Sequence, residues 1–519
     1  MNESVSPKVE KIVSGDVRLL DVSPFTRLRK GRVLEAEKLT EFFTEIENYL
    51  RQGFAVEAEE RCFEILENYR HPVDVQAQLN SFISLAFEMQ GRFEAASDIL
   101  KPFAEKEVTK TLADENYITL LTRQGISYAN LNNSSEAISL LTLAQRIAED
   151  RDFTYLLANI HLAFARVYRA LSEFPVARNY IDKAIKYAQK VGDWRAFAEA
   201  SQLNASGYHQ EGNSQKSIEI FEQAIKTIGD RPAPFLLGKI YSDISVVYWS
   251  LFRSEEGIES AKKAIGLLEK TGNKYQTAIA YNNLGTNFLL NGDWKKAEEV
   301  LNRAIDLAFE IDHAHFASFV CTMGELNLLR GDFEEAERLF TQSLALSEER
   351  KKEWYSVQIL HNLTRCLLAQ NKTSSAIKKA KETIRRCEQI NENNFKYLTS
   401  VVLAESYFKQ KKIREAEEIL YKIEENETKN LALQGSVARV RGLIALENKD
   451  EELAIHHFSR SLSIFEKAGD LYHSALANYK LGVTLADSQP DKANKYLTSA
   501  IEVFGKLEAK STLKLAEES

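Results

Sequence analysis

The sequence predicts an all-α solenoid, one elongated stack of about twelve helical hairpins. A small residue, mostly Ala, recurs at Ala58, Ala96, Ala137, Ala177, Ser217, Gly257, Ala297, Ala336, Ala376, Ala416, Ala454 and Ala493, each about 40 residues after the last. A loop and an aromatic or apolar residue precede each mark, most clearly in Gly91-Arg92-Phe93-Glu94-Ala95-Ala96, Gly292-Asp293-Trp294-Lys295-Lys296-Ala297 and Gly331-Asp332-Phe333-Glu334-Glu335-Ala336. Only 22 Gly and 8 Pro occur in 519 residues, too few for a fold rich in tight turns. Length alone suggests three or four domains at roughly 150 residues each. The repeat replaces that expectation with a single array, because one hairpin cannot bury its apolar face without its neighbours.

Each unit reads as two amphipathic helices of about 16 residues, ~24 Å long at 1.5 Å per residue. In one first helix, within Tyr281 to Leu290, Leu284, Phe288 and Leu289 recur at helical spacing and Gly285 leaves room for a partner. The second helix of that unit carries Ala297, Leu301, Ala304 and Ile305 on one face. Gly192-Asp193, Gly229-Asp230, Gly272-Asn273 and Gly469-Asp470 read as a helix-ending Gly followed by a cap for the next helix. Two departures stand out. Pro102 should end the second helix of unit two early, and unit six has Phe252 and Gly257 where Gly and Ala are expected.

The chain is 44% apolar and 27% charged, with a net charge of −8 and a mean hydropathy of −0.32. Its longest nearly unbroken apolar run, Ile244 to Phe252, has nine residues, too short to cross a bilayer. No basic-then-apolar leader opens the sequence. The four cysteines, Cys62, Cys321, Cys366 and Cys387, form no C-x-x-C pair and read as small buried hydrophobes of a reducing compartment. These features together predict a cytoplasmic protein with no membrane partner. Mild acidity argues against direct nucleic-acid binding.

Catalytic motifs are missing. Gly238-Lys239 is followed by Ile240 and lacks a Gly five residues before it, so it cradles no phosphate. His313 and His315, two apart, and the adjacent His456 and His457 point to different helical faces and cannot share a metal. The chain is therefore expected to be no enzyme and to need no cofactor.

The Leu284-Gly285-Thr286-Asn287-Phe288 first helix, followed by Gly-Asp-Trp and Ala, resembles the tetratricopeptide repeat. The resemblance covers residues 36 to 505, and its long period is similar to that of kinesin-light-chain-type adaptors and of bacterial regulators related to the maltose activator. It implies a right-handed superhelix whose inner groove is lined by the first helix of each pair. Residues 1–35 fall outside the period and carry the basic run Arg27-Leu28-Arg29-Lys30-Gly31-Arg32, read as a flexible tail or a docking peptide. Residues 506–519 read as a capping turn. The stretch Phe504 to Lys510 also resembles the end of repeat regions that precede effector modules in large bacterial signalling proteins.

Mapped onto that pattern, the groove would be lined by Arg123, Arg166, Arg169, Gln202, His209, Lys239, Asn282, Asn283, His361, Asn362, Arg365 and Arg439, with Asp243 the single acid among them. Asn282, Asn283 and Asn362 resemble the amides that clamp a peptide backbone in long-repeat adaptors. The cationic excess would favour an acidic or carboxylate-ended protein or peptide partner. These side chains have a second reading, as bonds between neighbouring helices or to water. On the first reading, replacing Asn282 and Asn283 by Ala weakens partner binding with little change in melting temperature. The function expected is non-catalytic recognition, in an adaptor or in the sensory arm of a bacterial regulator. The sequence leaves the oligomeric state open.

Overall fold

The computed structural model describes residues 32–33, 36–104, 106–171, 173–311, 315–424 and 430–519. His313 and nearly all of the 1–35 tail lie outside these residues. Of the tail, only Arg32–Val33 is described, as a two-residue parallel bridge to Tyr69–Arg70.

Twelve antiparallel hairpins follow one another among the described residues. They are α1 (Ala36–Gln52) with α2 (Ala55–Asn68), and α3 (Val73–Met89) with the short α4 (Phe93–Asp98). After α5 (Lys106–Thr109) come α6 (Asp114–Asn130) with α7 (Ser134–Asp150), α8 (Thr154–Ala170) with α9 (Phe174–Val191), and α10 (Trp194–Gln210) with α11 (Ser214–Ile228). The middle of the stack is α12 (Pro234–Ser250) with α13 (Ser254–Leu268), α14 (Lys274–Asn291) with α15 (Trp294–Glu310), and α16 (Phe316–Arg330) with α17 (Phe333–Glu349). The last four hairpins are α18 (Glu353–Ala369) with α19 (Thr373–Gln389), α20 (Asn393–Lys409) with α21 (Ile413–Glu424), α22 (Leu431–Glu447) with α23 (Glu451–Ala468), and α24 (Leu471–Leu485) with α25 (Pro490–Leu507). A final helix, α26 (Lys510–Glu517), folds back on the stack.

Every one of the twelve sequence marks is the fourth residue of a second helix, and every one is buried. A small side chain is required there because the first helix of the hairpin crosses at that point. The crossing is closed from the other side by small residues too. A Cβ on Gly285 of α14 would stand 2.5 Å from Leu301 of α15, and one on Gly442 of α22 would stand 2.5 Å from Phe458 of α23. The large residue thus fills the space the glycine leaves, and burying a Leu or Phe contributes about 1.5–3 kcal/mol.

Three of the four Gly-polar pairs do what their sequence predicts. Gly192, Gly272 and Gly469 take positive φ, and Asp193, Asn273 and Asp470 then accept hydrogen bonds from the backbone N–H groups of Ala196, Gln276 and His473 at 2.9–3.0 Å. Asp230 makes no such cap, because α12 starts four residues later with Pro234 in its first turn. The two irregular units also have local causes. Pro102 sits in a 3-10 turn, Lys101–Ala104, that replaces the body of the second helix of hairpin two. At hairpin six, Phe252 adopts φ 59° in the place of a Gly, and Gly257 is small because the amide of Asn287 fills the space where a Cβ would stand.

One feature has no counterpart in the repeat pattern. Hairpins about five apart touch, turn against turn. Gly53 of hairpin one lies against Phe235 and Thr271, and Gly91 of hairpin two lies against the ring of Tyr275. Asn273 donates to the carbonyl of Met89 at 2.9 Å. Farther on, Gly292 lies against Leu471 and Leu507, and the Lys510 ammonium meets Asp332 at 2.9 Å. One apolar cluster therefore joins the first two hairpins to the sixth and seventh. Another joins the seventh and eighth to the C-terminal helices α24–α26. Successive turns of the superhelix are held together along a seam.

Candidate functional site

Consecutive first helices pack directly on one another, as α6 on α8, α12 on α14 and α20 on α22, whereas consecutive second helices make at most marginal contact. The first helices therefore follow the shorter, inner path of the stack. They carry a ladder of polar side chains, and the rungs run from one hairpin to the next.

In the N-terminal half the ladder begins with Arg123 of α6, which donates to Glu88 of α3 at 3.3 Å, while Ser127 donates to the other oxygen. Arg166 of α8 donates to Glu199 of α10 at 3.2 Å, and Arg195, one turn before Glu199, donates to its second oxygen at 3.1 Å. Gln202 and Ser206 of α10 donate to Asp243 of α12, at 2.8 and 3.4 Å. Burial pushes the Glu88 and Asp243 carboxyls up, against the pull of neighbouring cations. Glu199 goes the other way. Burial raises it, but Arg195, Arg166 and Lys239 together outweigh burial and hold it at about 2. Lys239 and Arg169 lie in this group as well. His209 sits at the hairpin turn, its Nδ1 3.1 Å from the Ser214 hydroxyl.

In the C-terminal half two arginines have close carboxylate partners, with Lys409 and Lys480 near the second pair. Arg365 of α18 donates to Glu325 of α16 at 3.0 Å. Arg439 of α22 grips both oxygens of Glu405 on α20, at 3.0 and 2.7 Å. The two side chains of that fork are only 15% and 16% exposed. Burial alone would raise Glu405, and Arg439, with Lys409 and Lys480 behind it, more than reverses that.

The amides and the histidine sit deeper than a peptide-contacting row requires. Asn283 donates to the Ser242 hydroxyl at 3.0 Å, tying α14 to α12. Asn282 is buried, and its Oδ1 has no hydrogen-bond partner. His361 is buried against the Thr399 hydroxyl at 3.0 Å, and burial together with Arg365 pushes it down to about 3, so it is neutral. Asn362 is buried as well, receiving Arg365 at 3.0 Å and lying 3.6 Å from the Cys321 sulfur. For Asn283, His361 and Asn362 the geometry is that of bonds between repeats. The Asn283 bond bears on the expectation of little change in melting temperature for the Asn282/Asn283 double replacement, because Asn283→Ala removes a bond between hairpins and should lower that temperature.

The acids of the ladder correct a second expectation. Asp243 is not alone, because Glu88, Glu199, Glu325 and Glu405 match arginines of the predicted set. Their sequence separations from those arginines, 35, 33, 40 and 34 residues, are each about one repeat. A search for acids one period away from each inner arginine finds them. Arg195 escapes that search because it sits at the start of its helix.

Burial of all four cysteines agrees with their reading as small hydrophobes. Among the described residues, no three His, Cys, Asp or Glu side chains are grouped so as to hold a metal. No helix among them is long and apolar enough to cross a membrane.

Comparison with known proteins fits this geometry. Residues 244–502 match the family described as the MalT-like TPR region. The regulatory protein RapK of Bacillus subtilis (strain 168) is 24% identical over 135 residues, which are 26% of this chain and 36% of that relative. The match thus spans about a third of the curated relative's length. A Rap protein solved in complex with competence and sporulation factor superposes with a TM-score of 0.54 at 16% identity, over 69% of this chain and 99% of that one. The apo form of the quorum sensor NprR from B. thuringiensis gives a TM-score of 0.48 at 13% identity, over 67% of this chain and 99% of that one. The repeat register, the twelve hairpins, the family match and the Rap superposition together make this chain a tetratricopeptide-type repeat protein, similar in its second half to the repeat region of MalT-like regulators.

Proposed function

We propose that this chain is a non-catalytic regulatory receptor that holds a peptide or a protein segment along its inner face. The observation that carries the reading is the polar ladder itself. Arg123, Arg166, Gln202 and Arg365 are fixed by bonds to the neighbouring hairpin before any partner arrives. Such preorganised donors lower the ordering cost of binding an extended chain. The Rap structure with competence and sporulation factor supplies a precedent for a ligand on this type of fold. The reading includes a cytoplasmic setting, in keeping with four unpaired, buried cysteines.

The match of residues 244–502 to the MalT-like TPR region favours a second version, in which the same receptor acts as the sensory arm of a bacterial regulator. Both versions make the same first demand. Random short peptides displayed on phage and panned on the whole chain should yield sequences that bind in solution by fluorescence anisotropy. Binding should weaken at least tenfold for Arg166→Gln. A library that yields no binder, or binders indifferent to every inner-face replacement, would remove the inner face from the function.

A further inference from the structure

The seam between successive turns of the superhelix has a repeating geometry. The turn of one hairpin, with the first residue of its second helix, settles on the start of the first helix five hairpins later. Gly91 and Phe93 of hairpin two meet Tyr275, the second residue of α14, with the two rings 6.0 Å apart. In hairpin seven, Gly292 meets Leu471 at the start of α24, and Trp294 stands 5.9 Å from Tyr472, the second residue of that helix. Gly53 of hairpin one meets Phe235, the second residue of α12. Each time the partners lie about 180 residues apart in sequence.

The same spacing names a further pair. Phe174 opens α9 as Phe93 opens α4 and Trp294 opens α15. Trp354 is the second residue of α18, five hairpins on and again about 180 residues away. Here, however, the seam is open. Trp354 is 50% exposed, against 8% for Phe235 and 6% for Tyr275. Among the described residues its ring contacts are with Tyr355 and Phe395, in its own hairpin and the next. Leu171 and Val176, on either side of Phe174, are exposed as well. The apolar clusters of hairpins three to five take in nothing from hairpins eight to ten, although clusters before and after them cross the seam. The gap follows hairpin two, whose second helix stops at Asp98 and gives way to the 3-10 turn at Pro102 and to α5.

We propose that this gap is a closable stretch of the wall, and that in a second state of the stack Phe174 docks on Trp354 as Phe93 docks on Tyr275 and Trp294 on Tyr472. Burial of two aromatic faces together with Leu171 and Val176 drives the closure. Small rotations at several hairpin interfaces add up to the motion, because each repeat is held only by its neighbours. Closing the gap bridges the two sealed stretches of the seam. Open, it leaves a lateral way to the inner path of α8 and α18, where Arg166 and Arg365 stand. The closure stands without the receptor reading, which concerns what enters and not whether the wall moves.

The test measures one distance in the whole chain. Spin labels on Asn179→Cys and Glu349→Cys, both exposed positions, flank the gap, and the four native cysteines are buried and leave labelling to the new pair. Pulsed electron paramagnetic resonance should give two populations. The shorter distance should gain at least twofold in weight when ammonium sulfate is added, because an excluded salt favours burial of apolar surface. Trp354→Ser should abolish the shorter distance. Trp354→Tyr, which supplies the ring found at Tyr275 and Tyr472, should keep it, and this rescue separates lost docking from misfolding.

A single long distance, or a short one indifferent to Trp354→Ser, would overturn the proposal. So would a single short distance, since the wall would then be closed at all times. Failure of the receptor reading looks different. A wall that moves in a chain for which no library yields a binder keeps the closure and removes the receptor.

Discussion

Arg166 and Arg439 both lie on first helices along the inner path of the stack, about one helical turn apart in repeat register, and answer to different electrostatics. Arg439 and Glu405 form a closed fork, each the other's main partner, mostly hidden from solvent. Arg166 shares Glu199 with Arg195 and lies within reach of Glu88 and Lys239. The first arrangement is a structural rivet. The second is a loose network with charge to spare, and a surplus of that kind suits binding better than holding helices together.

The comparison is most exposed to replacing each arginine by glutamine. Arg439→Gln leaves Glu405 buried beside no arginine, a change that costs about 3–5 kcal/mol. Arg166→Gln should cost about 1 kcal/mol, since Arg195 keeps Glu199 in place. Urea unfolding, with hydrogen exchange followed in α20 and α22, separates the two, and equal losses would dissolve the distinction between the halves.

The boundary between the halves offers a smaller effect. Gly257→Ala pushes a methyl into the buried Asn287 amide, which also donates to the carbonyls of Ser245 and Asn283, and should cost about 1–3 kcal/mol. Ser217→Ala, at the same mark one hairpin earlier, should be neutral or stabilising, because the Ser217 hydroxyl is buried without a partner. Thermal melts of the pair test whether the irregular sixth unit owes its glycine to Asn287.

The smallest effect is on pH dependence. Glu199 falls from its ordinary 4.5 to about 2 on folding, so its contribution to stability is complete above about 4.5 and is lost as the pH drops towards 2. Glu88 and Asp243 have the opposite sign, because their raised values mean the fold binds their protons more readily than the unfolded chain does. Melting temperatures across the acid range should therefore fall less steeply for Glu199→Gln than for wild type below pH 4.5. An unchanged slope would place the acid sensitivity in the C-terminal half, with Glu405.

Much of this molecule is legible in the order of its amino acids. The position after a loop and an apolar residue must be small wherever two helices cross closely, so the repeat can be read from Ala58 to Ala493, and Gly192, Gly272 and Gly469 announce their helix ends. The inner residues are half legible. Their row can be mapped, but His361, Asn362 and Asn282 turn inward between repeats, and that depends on side-chain direction rather than on spacing. The acids that complete the rungs lie one period away and carry a signal in the sequence.

The sequence by itself determines the number of hairpins, their register and the rows from which the inner face is built, because these follow from local helix periodicity and from the volume allowed at each crossing. The tertiary structure alone decides which charges are matched and where the stack closes on itself. Lys239 feels the pull of Glu199 and Asp243, while arginines on α8 and α10 hold the two oxygens of Glu199. Tyr275 meets Gly91, and Lys510 meets Asp332, only because the accumulated rotation of about five hairpins brings distant turns into contact. That rotation is a sum of small interface angles, each set by the packing of many side chains, and no single motif encodes it.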